Sequence, residues 1–198
     1  MNEDLIINYK ILNTKIDKVI YINLKERTDR KDKCLEILTK LFDHDKIVRF
    51  DAIKHEKGYI GCYKSHIGCL DLILENKEWQ KMLILEDDIC WTNDSKSIDV
   101  FNKVINTNFD VLVLGGTYVK YNCNTYKLYS CQTTTSYIVN RDYLNILRSC
   151  WIKGLQKLEI TGNCDSYCLD QYWKRLQKKD NWKIVYPPLF IQEESYSN

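Results

Sequence analysis

Met82-Leu83-Ile84-Leu85-Glu86-Asp87-Asp88 sets four apolar residues directly against three consecutive acids. A short, unbroken apolar run reads as a strand buried on both faces, the kind found in largely parallel sheets. The acids cannot continue into a core, so they mark where the strand emerges. Three carboxylates in a row repel one another, which raises their pKa values or lowers stability. A divalent cation relieves that repulsion. Residues 86 and 88 point the same way if the chain stays extended, so Glu86 and Asp88 can share one ion. Oxygen ligands suit Mg²⁺ or Mn²⁺ better than zinc, and such an ion completes its shell with a diphosphate. The plain alternative is a solvated turn whose acids cap the next helix.

Outward from this run, apolar strands alternate with helical patterns. Lys18–Asn23 is β-branched and aromatic, and Ile47–Asp51, residues 110–114, 136–139 and 182–186 are further strands. Leu35, Leu38, Leu41 and Phe42 keep helical spacing after a start at Thr28 or Asp29, either of which suits a cap. Cys62, His66, Cys69, Leu70, Ile73 and Leu74 follow the 3.6-residue period and predict a helix from Gly61 to about Asn76. Further helices are expected over 141–150 and 165–176. Alternation of this kind predicts an α/β domain: a mixed, largely parallel, Rossmann-type sheet with helices on both faces. One domain is expected over 1–198, with its core at about 18–192. Ligands of such sheets sit outside the carboxyl ends of the strands. Asn23, Asp51, Glu86–Asp88 and Gly115-Gly116 all fall there.

Composition removes several classes. The chain has 198 residues, 44% hydrophobic and 28% charged, with a net charge of +2. That is a globular composition without the basic excess of a nucleic-acid binder. No apolar run is long enough to span a bilayer. The first residues, Met1-Asn2-Glu3-Asp4, are not those of a signal peptide, so a cytoplasmic protein with reduced thiols is expected despite nine cysteines. Cys34, Cys62, Cys69 and Cys150 read as small core residues. Cys164 and Cys168 share one helix side, but no second Cys/His pair follows at zinc spacing, so a structural zinc site is not expected. No P-loop and no Gly-x-Gly-x-x-Gly occurs. The loop Glu86-Asp-Asp-Ile-Cys-Trp-Thr92 fits a haloacid-dehalogenase-type phosphatase poorly.

Several segments carry a resemblance. They are Val19-Ile-Tyr-Ile-Asn-Leu-Lys-Glu-Arg-Thr-Asp-Arg30, Phe50-Asp-Ala52, Gly58-Tyr-Ile-Gly-Cys-Tyr-Lys-Ser-His-Ile67, Leu83–Asp88, Thr134–Val139, Leu169-Asp-Gln-Tyr-Trp173 and Tyr186–Gln192. In this order they resemble glycosyltransferase family 25, the lipooligosaccharide and collagen galactosyltransferase group. The compact, Lys/Asn-rich form is most similar to stand-alone versions in large DNA viruses. The resemblance implies a GT-A fold and a UDP-sugar donor, UDP-galactose or UDP-glucose. It also implies an inverting transfer to a hydroxyl of a glycan or protein, with Asp88 and either Glu86 or Asp87 holding Mn²⁺ (or Mg²⁺) against the donor diphosphate. The family's Asp-x-Asp stands here as Glu86-Asp87-Asp88, which leaves the ligand pair open.

The remaining candidates follow from position and resemblance together. Arg27 and Arg30 are expected at the donor phosphates or nucleotide. The alternative, a charged helix start, is opposed by the helix dipole. Asn23 and Asp51 suit the base or ribose, or simple turn chemistry. Asp87 is assigned to the donor side. Ser65 and His66 mark a helix end facing the donor, with His66 as hydrogen-bond donor or structural pin. Lys64 meets a phosphate or is merely solvated. An inverting transfer needs a base for the acceptor hydroxyl, usually a carboxylate for sugars. Asp170 is the candidate and Asp165 the runner-up, each with a helix cap or surface acid as its alternative. Gln192 bonds sugar hydroxyls or closes the domain. Two other functions compete. A sugar-phosphate nucleotidyltransferase usually has a glycine-rich loop where this chain has Leu24-Lys25-Glu26-Arg27. A degenerate sugar- or protein-binding relative would have no need of the acidic run.

Overall fold

A computed structural model describes residues 12–193. The elements in chain order are β1 (Lys18–Asn23), α1 (Thr28–Leu41), β2 (Ile47–Asp51), α2 (Gly58–Glu75), β3 (Lys81–Glu86), β4 (Ile89–Trp91), α3 (Ser95–Val104), β5 (Val111–Tyr121), β6 (Leu128–Asn140), α4 (Leu144–Thr161), α5 (Cys164–Tyr167), α6 (Leu169–Tyr172), α7 (Lys174–Lys179), β7 (Trp182–Ile184) and β8 (Phe190–Gln192). The main sheet has six strands in the order β2-β1-β3-β6-β5-β7, and β4 and β8 form a small second sheet. In the main sheet only β6 runs against its neighbours. It does so because β5 and β6 are the two arms of a hairpin, and a short turn can join only antiparallel strands.

The strands alternate faces as the pleat requires. Ile20, Ile22, Met82, Ile84, Val111, Val113, Tyr137 and Val139 face one core, covered by α2 and α4. Val19, Tyr21, Leu83, Leu85, Leu112, Leu114 and Ile138 face the other, covered by α1 and α3. Both faces of Met82–Leu85 are therefore buried, which is why the run contains no polar residue. The fold is the expected α/β one, with helices on both faces of a largely parallel sheet. Among the described residues no helix is long and apolar enough to cross a membrane.

The structure departs from expectation at several places. α3 is an additional helix, started by Asp94, whose carboxylate accepts the Ser97 amide at 2.9 Å, and held by Ile98, Phe101 and Val104 in the core. The helix expected at 141–150 runs from Leu144 to Thr161, where Gly162 at φ 67° ends it. The single helix expected over 165–176 is three short ones. Cys168 at ψ 153° breaks the first from the second. The strand at 136–139 is the last part of the longer β6.

Gly154 fixes how α4 meets α2. A Cβ there would strike Tyr63 Oη and lie 2.6 Å from Tyr172 Cδ1, and both tyrosines are buried. Neither ring has room to swing away. Gly154→Ala gains about 1 kcal/mol of helix propensity but overpacks a filled core at about 1–3 kcal/mol, and the overpacking wins. The net cost of up to about 2 kcal/mol corresponds to a fall in Tm of up to about 8 °C, read by thermal unfolding. An unchanged or higher Tm would show that the two helices can part without cost.

Candidate active site

The carboxyl ends of β1, β2, β3 and β5 lie at one end of the sheet, and β6, running the other way, brings its Thr133–Ser136 segment to the same place. Leu85 pairs with Ser136, and Gly115 pairs with Ser136 from the other side. Gly115 is required there: a Cβ would lie 2.5 Å from the Phe190 carbonyl and 2.9 Å from Ser136 Oγ.

The three acids at the end of β3 have distinct environments. Asp87 is buried and fully engaged: Asn23 Nδ2 donates to its Oδ2 at 2.6 Å and Arg30 Nη1 to its Oδ1 at 3.2 Å. Asn23 is fixed in turn by Arg49, whose Nε donates to its Oδ1 at 3.0 Å, and by the Arg27 carbonyl at 3.0 Å. Arg49 also pairs with Asp51 at 2.6 Å, leaving Asp51 at the rim with its side chain 75% exposed. Arg30 thus stands in the first turn of α1, against the helix dipole, because two carboxylates offset the conflict. Arg27 makes a two-pronged contact with Asp29, at 2.9 and 2.8 Å.

Glu86 sits on the other side. Thr134 Oγ1 donates to its Oε1 at 2.6 Å and Gln192 Nε2 to its Oε2 at 3.1 Å. His66 Nε2 lies 3.4 Å from Oε1, and His66 Nδ1 is bonded to the Tyr137 hydroxyl at 2.9 Å. Burial works to raise the Glu86 pKa, but His66, Thr134 and Gln192 outweigh it and hold the carboxyl below its usual range.

Asp88 has neither arrangement. Its side chain is 15% exposed, and its nearest cation is Arg30, 3.4 Å from Oδ2. Oδ1 is buried with no hydrogen-bond partner. Burial first, then the charges of Glu86 and Asp87, push its pKa up to about 6 against the pull of Arg30. Of the three acids, this one carries repulsion that nothing in the protein fully relieves.

The hairpin side of the site contains a strained segment. Thr133 has φ 65°, a left-handed conformation rarely tolerated by a β-branched residue. Its amide donates to Asp170 Oδ2 at 3.2 Å. Thr133 Oγ1 and Ser136 Oγ are buried without hydrogen-bond partners. Asp170 is therefore bonded to the neighbour, along β6, of the threonine that holds Glu86.

Other expected residues lie elsewhere. Lys64 points off the opposite helix face from Cys62 and His66 and pairs with Glu159 of α4 at 3.2 Å, so its charge is already used between helices. The Ser65 hydroxyl accepts the Ile53 amide at 2.8 Å and donates to the Gly61 carbonyl at 2.7 Å. It clamps the β2–α2 loop instead of facing a ligand. Asp165 is exposed in the first turn of α5, and the cap of that helix is Asn163, which accepts the Ser166 amide at 3.1 Å. Sequence reasoning missed Arg49, Thr133, Thr134 and Tyr137. A charged residue in the middle of an otherwise apolar strand, Ile47-Val48-Arg49-Phe50, was the available signal for the first.

Acids, arginines and an amide gathered at the strand ends of an α/β sheet lie where ligands of such sheets bind. Residues 56–169 match the model of glycosyltransferase family 25 (LPS biosynthesis protein), more than half of the 198 residues. The chain belongs to that family and is a glycosyltransferase. The match includes Cys62–His66, Glu86–Asp88 and Thr133–Tyr137. Asn23, Arg27, Arg30, Asp170 and Gln192 lie outside it and join the site through the fold. Among solved structures, the chain is similar to a glycosyltransferase involved in the glycosylation of the major capsid of PBCV-1, with TM-score 0.57 and 11% identity over 91% of this chain and 93% of that one. It is also similar to the glycosyltransferase GlyE of Streptococcus pneumoniae TIGR4, with TM-score 0.50 and 10% identity over 91% of this chain and 55% of that one. At such identities the likeness is one of fold, and it makes the fold GT-A-like. A search of curated proteins gives no match.

Proposed function

We propose that the chain is a metal-dependent, inverting hexosyltransferase that moves galactose or glucose from a UDP-sugar to a hydroxyl of a glycan or protein. The observation that carries this reading is Asp88: a largely buried carboxylate with one buried, unpartnered oxygen, pushed up to about 6, at the carboxyl end of a central strand. Such a group fits a hard divalent cation, Mn²⁺ or Mg²⁺, with Asp88 and Glu86 as its protein ligands. When bound, the ion supplies a Lewis acid to the diphosphate as negative charge develops there. Asp87 is left to fix Asn23 and Arg30 on the donor side; Asn23 is buried and acts from behind, and Asp51, Arg27 and Arg30 form the edge along which a nucleotide would lie. Asp170 takes the acceptor hydroxyl's proton as that oxygen attacks the anomeric carbon and the bond to the leaving UDP oxygen breaks. The Thr133 amide holds the carboxylate in place for that transfer. The reading includes a cytoplasmic setting, in which the nine unpaired cysteines stay reduced.

The test is hydrolysis of a panel of UDP- and GDP-sugars by the purified chain, with and without Mn²⁺. Slow, Mn²⁺-dependent release of UDP from one UDP-hexose is expected before any acceptor is supplied. Release from a GDP-sugar instead would overturn the donor assignment, and equal release in EDTA would overturn the metal.

A further inference from the structure

His66 is fully buried, and its Nε2 has no hydrogen-bond partner. Buried polar atoms are nearly always satisfied, so an orphan of this kind needs an explanation. The atom lies 3.4 Å from Glu86 Oε1, beyond a good hydrogen bond. One helical turn earlier, on the same face of α2, stands Cys62. A ligand atom of Cys62, one of His66 and one of Glu86 all fall within 4.8 Å of one another. A thiol, an imidazole and a carboxylate lie close enough for small side-chain movements to bring them onto one ion, with two of them at i, i+4 spacing on a helix.

The surroundings hold the imidazole in position at that point. His66 Nδ1 is already bonded to the Tyr137 hydroxyl at 2.9 Å. That contact fixes the ring plane with Nε2 turned toward Glu86 Oε1, as outer partners do for metal-bound histidines. His66 is also held against Trp151, edge to face at a centroid separation of 5.6 Å. Cys164 and Cys168 form a Cys-x3-Cys pair elsewhere in the chain, but they are not part of the cluster.

We propose that Cys62, His66 and Glu86 form a zinc site with three protein ligands and an open fourth position. Sulfur, imidazole nitrogen and carboxylate together are a borderline donor set that suits Zn²⁺ rather than Mn²⁺ or Mg²⁺. Binding displaces the Cys62 thiol proton to solvent, and sulfur coordinates as thiolate. The site is separate from Asp88 and does not depend on the cation proposed there. It has one consequence that does rest on the transferase reading. Glu86 belongs to both sites, so Zn²⁺ held by Cys62 and His66 takes Glu86 Oε1 away from the acidic strand end and opposes Mn²⁺-supported turnover.

The test uses the full chain, stripped with EDTA, and titrated separately with Zn²⁺ and Co²⁺. One ion per chain is expected, with a thiolate-to-cobalt charge-transfer band. Cys62→Ser should lose the band, while Asp88→Asn and Cys164→Ser should keep it. Tyr137→Phe, which retains all three ligands, should weaken Zn²⁺ binding about 10–100-fold. Zn²⁺ should raise the Tm of the wild type and leave that of Cys62→Ser unchanged. The Tyr137→Phe measurement stands even if Cys62→Ser fails to fold. A band that survives in Cys62→Ser, one that vanishes in Cys164→Ser, or the absence of any bound Zn²⁺ would overturn the site. If zinc binds as described but does not inhibit an enzyme active with Mn²⁺, only the shared use of Glu86 is lost. Absence of all turnover bears on the transferase reading and leaves the zinc titration intact.

Discussion

Asp88→Asn is expected to cut Mn²⁺-dependent turnover by orders of magnitude and, in EDTA at pH 7, to make the protein more stable. The two effects share one cause. In the fold, burial and the charges of Glu86 and Asp87 raise the Asp88 pKa from 3.8 to about 6. A carboxyl whose folded pKa lies above its unfolded value binds its proton more tightly in the folded state. Its charge therefore opposes folding at any pH above about 6. The opposition fades as the pH falls through 6 and is gone below about 4. At pH 7 the difference of about 2 units corresponds to roughly 3 kcal/mol. The side chain is only 15% exposed, so solvent screening removes little of this. Asparagine keeps the shape and removes the charge, while Arg30 retains Asp87 at 3.2 Å. Loss of a cation ligand should lower turnover by about 10²- to 10⁴-fold, on the scale of several kcal/mol that a metal supplies. Denaturation in EDTA at pH 7 and pH 5 separates the variants: wild type should gain relative to Asp88→Asn on acidification. Active Asp88→Asn would exclude the metal role. A less stable Asp88→Asn at pH 7 would mean that Arg30 already neutralises the site and that no cation is needed.

What could be read from the sequence was local. Met82–Leu85 announced a doubly buried strand because every side chain on it had to face one core or the other, and no polar residue interrupts the run. Glu86–Asp88 announced the sheet end for the complementary reason. The helix at α2 was legible from period alone, since Cys69, Leu70 and Ile73 all face the sheet. What failed involved contacts between distant segments. Gln192 reaches Glu86 across 106 positions, and Thr134 across 48. Neither residue advertises its partner. The predicted helix over 165–176 had good local spacing, but the chain turns at Cys168 and brings Asp170 to the Thr133 amide. Tertiary pairing overrode a continuous helical pattern. α3 was missed although Asp94 and the spacing of Ile98, Phe101 and Val104 mark it. The distinct states of the three acids were the least legible feature. Spacing treats them alike, whereas burial and partners saturate Asp87, hold Glu86 and leave Asp88 exposed to repulsion.

Asp170→Asn is expected to lower transfer by about 10²- to 10⁴-fold, the range for removing a general base, while UDP-sugar binding stays as in the wild type. The geometry allows this separation. Asp170 meets the Thr133 amide through Oδ2, and asparagine can accept the same amide through its carbonyl oxygen, so the strained Thr133 backbone at φ 65° keeps its support. What is lost is the capacity to take a proton. The donor side, built on Asn23, Arg30 and Asp87, has no hydrogen bond to Asp170 and should be unaffected. The comparison is Asp165→Asn. Asp165 is exposed on α5, and its replacement should leave both binding and rate unchanged. A loss confined to kcat in Asp170→Asn fits a base. A rise in KM for the donor with kcat preserved would instead make Asp170 a donor-binding residue. A large loss in Asp165→Asn with none in Asp170→Asn would move the base to α5 and require that helix to close over the site when the acceptor binds.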